Sequence, residues 1–170
     1  MKNINIIKTL ILLIAVSLFI SCDEGGDPVP GGTNVEAIAG DWWVVALEPD
    51  GITPAYGGDY VQFSTYNTAA NDNTFWLDDN NIWMQIKSKA TVNLSSLTFE
   101  SEPNTQELYT DETVTVTNGV FTKGTYTTES NTVVDEISFD AEFSWDPGAV
   151  YKFKGHKRTG FLEDENPHYE

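Results

Sequence analysis

Sulfur and imidazole are nearly absent from this chain, and positive charge is scarce. A single cysteine, Cys22, excludes an intramolecular disulfide and any cluster of thiolate metal ligands drawn from one chain. The two histidines, His156 and His168, leave few candidates for a general base. Neither Gly-x-Ser-x-Gly nor His-Glu-x-x-His occurs, so the usual nucleophile turn and the usual zinc helix of hydrolases are both missing. Nine Lys and Arg face twenty-six Asp and Glu, a net charge of −17. Such a surface repels phosphate, which argues against nucleic acid as a partner. No long apolar run follows residue 20, and amphipathic helical periodicity is confined to one short turn.

What is present begins with an address. Lys2 and Lys8 precede the apolar run from Leu10 through Ile20, which ends at the small pair Ser21-Cys22. A positive start, a short apolar centre and a small boundary residue predict a secretory signal over 1–21, too short to span a bilayer stably. Gly25-Gly26-Asp27-Pro28-Val29-Pro30-Gly31-Gly32 combines backbone freedom with extension and predicts a tether over 22–34. Residues 35–163 suffice for one domain with its own core, and 164–170 form an acidic tail.

Within that domain the pattern is strands. Gly40 to Leu47 places Trp42, Val44 and Ala46 on one face and Trp43, Val45 and Leu47 on the other, so both faces need cover. Thr33 or Asn34 can cap a short helical turn over 35–39. Further strands are predicted at 60–66, at 74–77 with a return over 82–87, and at 91–100. Thr113 to Thr117 meets Asn118-Gly119, which predicts a hairpin into Val120-Phe121. Ile137, Phe139, Ala141 and Phe143 alternate with polar residues before Asp146-Pro147-Gly148, and the matching faces place Phe143 opposite Tyr151 and Ala141 opposite Phe153, with a bulge near Gly148. The fold expected is all-β: an antiparallel up-and-down barrel of eight to nine strands with a short N-terminal helical turn, its first strand paired with its last.

Several motifs resemble known families. Ser21-Cys22 resembles a bacterial lipobox and Asp23-Glu24 an acidic export signal of Bacteroidetes lipoproteins. The resemblance implies a lipid anchor on Cys22 and a protein held on the outer membrane, facing the cell exterior. Gly40-Asp41-Trp42 after a helical turn, with Arg158 closing the last strand, resembles the lipocalin and wider calycin pattern. It implies a lipocalin-like barrel whose closure rests on Gly40, Trp42 and Arg158, a cation crossing the indole with about 0.5–2 kcal/mol of attraction. Residues 66–72, Ile82-Trp83 and Gly155 through Glu165 are similar to the Bacteroides lipoprotein family named lipid-binding putative hydrolase. No catalytic residue and no cofactor is carried over from it.

Two classes of ligand fit this reading. If Val61, Phe63, Ile82, Met84, Phe139 and Phe143 line an unfilled upper barrel, a lipid or other apolar small molecule binds there without chemistry. If Trp43, Tyr60 and Trp83 form an outward platform, sugar rings or a protein can stack on it, as in an accessory subunit of an outer-membrane uptake system. A hydrolase of unrecognised mechanism is the third possibility. His156 alternates with Lys152 and Lys154 and reads as a solvated strand residue, and His168 as part of the tail. Asp78-Asp79-Asn80-Asn81 and Asn71-Asp72-Asn73 read as turn formers; neither has the spacing of a calcium loop, so no metal is expected. An apolar cavity inside the barrel favours the first class, and a filled interior favours the second.

Overall fold

A computed structural model of the chain describes residues 31–55 and 57–168. The signal over 1–21, Cys22 and most of the expected tether lie outside the described residues. Nine strands follow a 3-10 turn at Glu36–Ile38: β1 Gly40–Leu47, β2 Val61–Asn67, β3 Thr74–Asp78, β4 Lys87–Asn93, β5 Thr98–Glu100, β6 Thr105–Gln106, β7 Thr113–Thr127, β8 Val133–Phe143 and β9 Val150–Lys157. A second 3-10 turn covers Leu162–Asp164. All pairings are antiparallel, in the order β5-β4-β3-β2-β1-β9-β8-β7-β6, and β5 also pairs with β7. Eight strands therefore close a barrel, and β6 pairs with β7 at Thr113 and Val114, further along the edge that β5 uses.

The first and last strands are neighbours, as the closed-barrel expectation requires, with Trp42 opposite Lys157 and Ala46 opposite Phe153. Gly40 has φ +147°, and a Cβ there would lie 2.8 Å from the Lys157 side chain. That side chain crosses the Trp42 ring at 5.7 Å and donates to the Ala39 carbonyl at 3.2 Å. The indole N–H of Trp42 donates to Thr65 Oγ1 at 2.9 Å, and Thr65 donates to the Ile38 carbonyl at 2.5 Å, so the N-terminal turn plugs this end. The expectation that Arg158 crosses Trp42 is corrected. Alternation puts residue 158 on the outer face, where its guanidinium lies 5.8 Å from the Trp43 ring.

Three expected local features differ. Asn118-Gly119 does not turn a hairpin; β7 runs through it as a bulge, with Asn118 at φ +54° and the register shifting between Thr117 and Val120. Gly119 is required because the Phe99 ring lies where its Cβ would be, 2.4 Å away, and this close approach lets β5 pair with β7 and shut the barrel. In β8–β9 the inward faces are as expected but the register is shifted by two: Ala141 faces Tyr151 and Phe139 faces Phe153, with no bulge in the pairing. Asp146 centres the turn by accepting from the Tyr151 hydroxyl at 2.6 Å and, through its carbonyl, from Ala149 N at 3.2 Å. Finally, the return strand begins at Lys87, and residues 79–86 form a loop instead.

The interior is occupied by aromatic rings. From the plugged end a column runs Trp42, Phe121, Phe99, Phe139, Phe153 and Phe143, with centroid separations of 5.4, 4.8, 5.9, 4.6 and 6.5 Å. All are at most 3% exposed. These are contact distances for rings, so the axis carries side chains. The expected unfilled upper barrel is corrected accordingly: Phe63, Phe139 and Phe143 are core.

Candidate functional site

At the end opposite Trp42 the aromatic column surfaces into a half-open cleft of about 460 Å³. Its floor is Met84 and Phe143, and its walls include Trp83 and Trp145. Trp145, stacked on Phe143 at 5.0 Å beyond the end of the column, is 41% exposed. Glu107, Asp111 and Glu112 stand on one side.

Each wall is fixed by buried carboxylates. Asp79, fully buried, accepts the backbone N–H of Asn81 at 2.9 Å through one oxygen, and those of Trp83 at 3.3 Å and Gln85 at 2.7 Å through the other. These bonds hold Asn80, Asn81 and Gln85 at positive φ and shape the 79–86 loop. Burial pushes the Asp79 carboxyl above its ordinary pKa against the opposing pull of the Gln85 and Trp83 N–H groups. Glu107 does the same for the β6–β7 loop, accepting Lys87 N at 2.9 Å, Tyr109 N at 2.8 Å and Thr110 N at 2.6 Å. Asp78, on the outer wall beneath, accepts from the Tyr66 hydroxyl at 2.5 Å, the Tyr109 hydroxyl at 2.6 Å and Lys87 Nζ at 2.8 Å. Burial raises its pKa, but these three donors outweigh it and leave the carboxyl below the ordinary range. The Tyr109 phenol is pushed up to about 12 by burial and by that carboxylate. Asp78 and Asp79 are thus structural clamps, and Asp72 likewise accepts Thr74 N at 2.8 Å. Among the described residues no three acidic, histidine or cysteine side chains converge to hold a metal.

Of the residues singled out in the sequence, Met84 and Phe143 meet in this cleft. Val61 packs half-buried against the core, Phe63 and Phe139 lie inside it, and Ile82 is 59% exposed. Ile82 sits outside because the loop around Asp79 replaces the alternation of a strand. The expected platform is not assembled: Trp43 is 7% exposed on the outer wall beside Tyr60's neighbour His156, whereas Trp83 belongs to the cleft. Trp145 was missed because it lies in the β8–β9 turn, outside any alternating strand; its signal was a large aromatic in a predicted loop.

A family model described as lipid-binding putative hydrolase matches residues 27–162. The chain belongs to this family. No curated protein matches it. Membership in the lipid-binding family agrees with an apolar floor at the mouth of a β-barrel, and the filled axis of this member puts the accessible apolar surface at the rim. The cleft is lined by no histidine; His156 and His168 border a different groove, and His156, expected to be solvated, is 3% exposed.

Proposed function

We propose that this protein binds a neutral, single-chain lipid or similar apolar small molecule in the mouth cleft, without chemistry. The floor carries the reading: Phe143 and Met84, 2% and 7% exposed, top the interior column, and Trp83 and Trp145 continue that apolar surface to the rim. With rings along the axis, the tail lies across the mouth and does not descend into the barrel. Asp111 and Glu112 disfavour a carboxylate or phosphate head. The absence of a histidine among the lining residues, with Glu107 committed to backbone donors, supports binding without turnover. The lipobox-like Ser21-Cys22 and Asp23-Glu24 support an anchor on Cys22 that holds the barrel at the exterior face of the outer membrane. A second reading, a sugar ring stacked on Trp145, is favoured by the filled interior, by the exposure of that indole and by Gln85 and Thr110 beside it.

Calorimetry with monoacylglycerols of increasing chain length, the matching fatty acids and a set of oligosaccharides tests both. Affinity should rise by up to about 0.8 kcal/mol per methylene and level off once the tail outgrows the cleft, with the fatty acids weaker. Binding of oligosaccharides alone establishes the second reading, and a gain that never levels off places the ligand inside the barrel.

A further inference from the structure

The plugged end carries an apolar tip with no part in the core. β9 delivers the chain there: Arg158 N donates to the Asp41 carbonyl at 2.9 Å, and the 3-10 turn Leu162–Asp164 follows. That turn is firmly held. The buried Asp164 carboxylate accepts Ser130 N at 2.8 Å, the Ser130 hydroxyl at 2.7 Å and the Thr159 hydroxyl at 2.6 Å, and Arg158 pairs with Glu165 at 2.8 Å. Phe161 N donates to Thr159 Oγ1 at 3.1 Å, and Asp164 N to the Phe161 carbonyl at 3.1 Å. Yet the residues this network presents, Phe161 and Leu162, are 52% and 87% exposed, and Val133, which opens β8 beyond the Ser130 loop that Asp164 grips, is 62% exposed. Folding gains nothing from large apolar side chains fixed in water, and a surface that keeps several of them at one end marks a contact.

The chain also enters the barrel at this end. Asn34, just before the first 3-10 turn, donates its backbone N–H to Asn71 Oδ1 at 2.9 Å and its side-chain amide to Asn73 Oδ1, both in the β2–β3 loop. Cys22 lies 12 positions earlier. A Gly-rich chain of that length averages about 20 Å from end to end and reaches at most about 40 Å, so an anchor on Cys22 keeps the plugged end close to the bilayer. The mouth loops stand further off by the length of β9, 8 residues or about 26 Å. Charge points the same way. Lys123, Lys157 and Arg158 stand at the plugged end with Glu129 and Glu163. The mouth loops carry Glu48, Asp50, Asp111 and Glu112 beside their own exposed Ile52 and Leu108.

We infer that Phe161, Leu162 and Val133 form a foot that seats the barrel on the bilayer holding the Cys22 anchor, with the plugged end against the lipid and the mouth directed away from it. The inference rests on the anchor proposed above and is independent of what the mouth binds. A net charge of −17 disfavours an anionic surface, so the lipid this foot meets has zwitterionic headgroups. Three side chains are too small a contact to hold free protein on a membrane. Tethering makes the same contact intramolecular, and a weak contact is then occupied.

The test couples the mature chain from Cys22, which holds every described element, to phosphatidylcholine nanodiscs through a maleimide lipid; the only thiol in the chain directs the coupling to residue 22. A nitroxide on the lipid chains then broadens the NMR methyl signals of side chains that reach the bilayer. Leu162 and Val133 should broaden, while Ile52, Ile82 and Leu108 at the mouth stay sharp. Phe161→Ser combined with Leu162→Ser, both exposed positions outside the core, should lower the ratio of seated to lifted barrels at least about tenfold and sharpen the Val133 signal again. Monoacylglycerol binding should be unchanged in that variant. If the variant does not fold, the parent's own signals decide. The mass of Cys22 in protein taken from its host membrane reports on the anchor separately. An unacylated Cys22 removes the anchor and overturns the inference with it. With an acylated Cys22, sharp Leu162 and Val133 signals, mouth signals broadened as strongly, or a double variant that seats like its parent overturns the foot and leaves the anchor standing.

Discussion

Replacing Trp145 by alanine asks whether an apolar ligand sits at the mouth. The indole is 41% exposed and rests on Phe143 at 5.0 Å. A tryptophan side chain offers about 250 Å² of surface, so about 100 Å² is open for a ligand to cover. At about 25 cal/mol per Å², full coverage is worth about 2.5 kcal/mol and half coverage about 1.2 kcal/mol. Affinity for a neutral monoacylglycerol should therefore fall by about eightfold to seventyfold. The rest of the side chain, about 150 Å² already packed against the fold, should cost up to about 4 kcal/mol of stability. Displacement of a fluorescent monoacylglycerol analogue, with a thermal melt alongside, measures both. The companion Phe139→Leu, deep in the column, should lower stability by about 1–2 kcal/mol and change affinity by less than about twofold. A folded Trp145→Ala variant that binds as tightly as the parent, paired with a Phe139→Leu variant that does not bind, would refute the mouth as the site.

Three other outcomes follow from the geometry. Gly155→Ala would set a Cβ 2.0 Å from the Trp43 carbonyl oxygen and 2.8 Å from Val44 Cα; backbone cannot give way as a side chain can, so a loss above about 3 kcal/mol and little soluble protein are expected. Asp79→Ala strands the N–H groups of Asn81, Trp83 and Gln85, which should lower stability by about 2–4 kcal/mol and speed amide exchange at Trp83 and Gln85 above the rest of the barrel. Because the folded state holds His156 below its ordinary pKa, its contribution is complete above the unfolded value near 6.5 and is lost as pH falls through the folded value. Urea midpoints measured from pH 7.5 to 5 should decline, and His156→Phe should flatten that part of the curve; an unchanged slope would show that the imidazole protonates freely in the native state.

Barrel closure was legible because the doubly apolar β1 has only one kind of solution, a partner on each edge and cover on each face. Gly40 and Trp42 sit where β1 meets β9, but the cation over Trp42 is Lys157 and not the expected Arg158, one step of alternation away. Asn118-Gly119 misled because the same permissive pair that turns a hairpin also makes a bulge, and only the distant Phe99 ring decides between them. The two-residue shift in β8–β9 came from Asp146, whose bond to Tyr151 outweighs the turn preference of Pro147-Gly148. His156 was read as solvated from its alternation with lysines, yet Trp43, Val45 and Leu47 already required something to cover that same wall. The mouth cleft was hidden because it is built by loops whose shape rests on Asp79 and Glu107, carboxylates that look like ordinary surface residues.

The short β5 strand gives the cylinder a seam. Two ladder pairs, Thr98 with Val120 and Phe99 with Gly119, join β5 to β7, extended by Phe121 N to the Leu97 carbonyl and Ser101 N to the Val116 carbonyl, whereas β7 and β8 are stitched along most of their length. Heat or denaturant should unzip the ring there first, baring two strand edges before the remainder of the sheet gives way, and those edges are where one copy could begin to knit onto another.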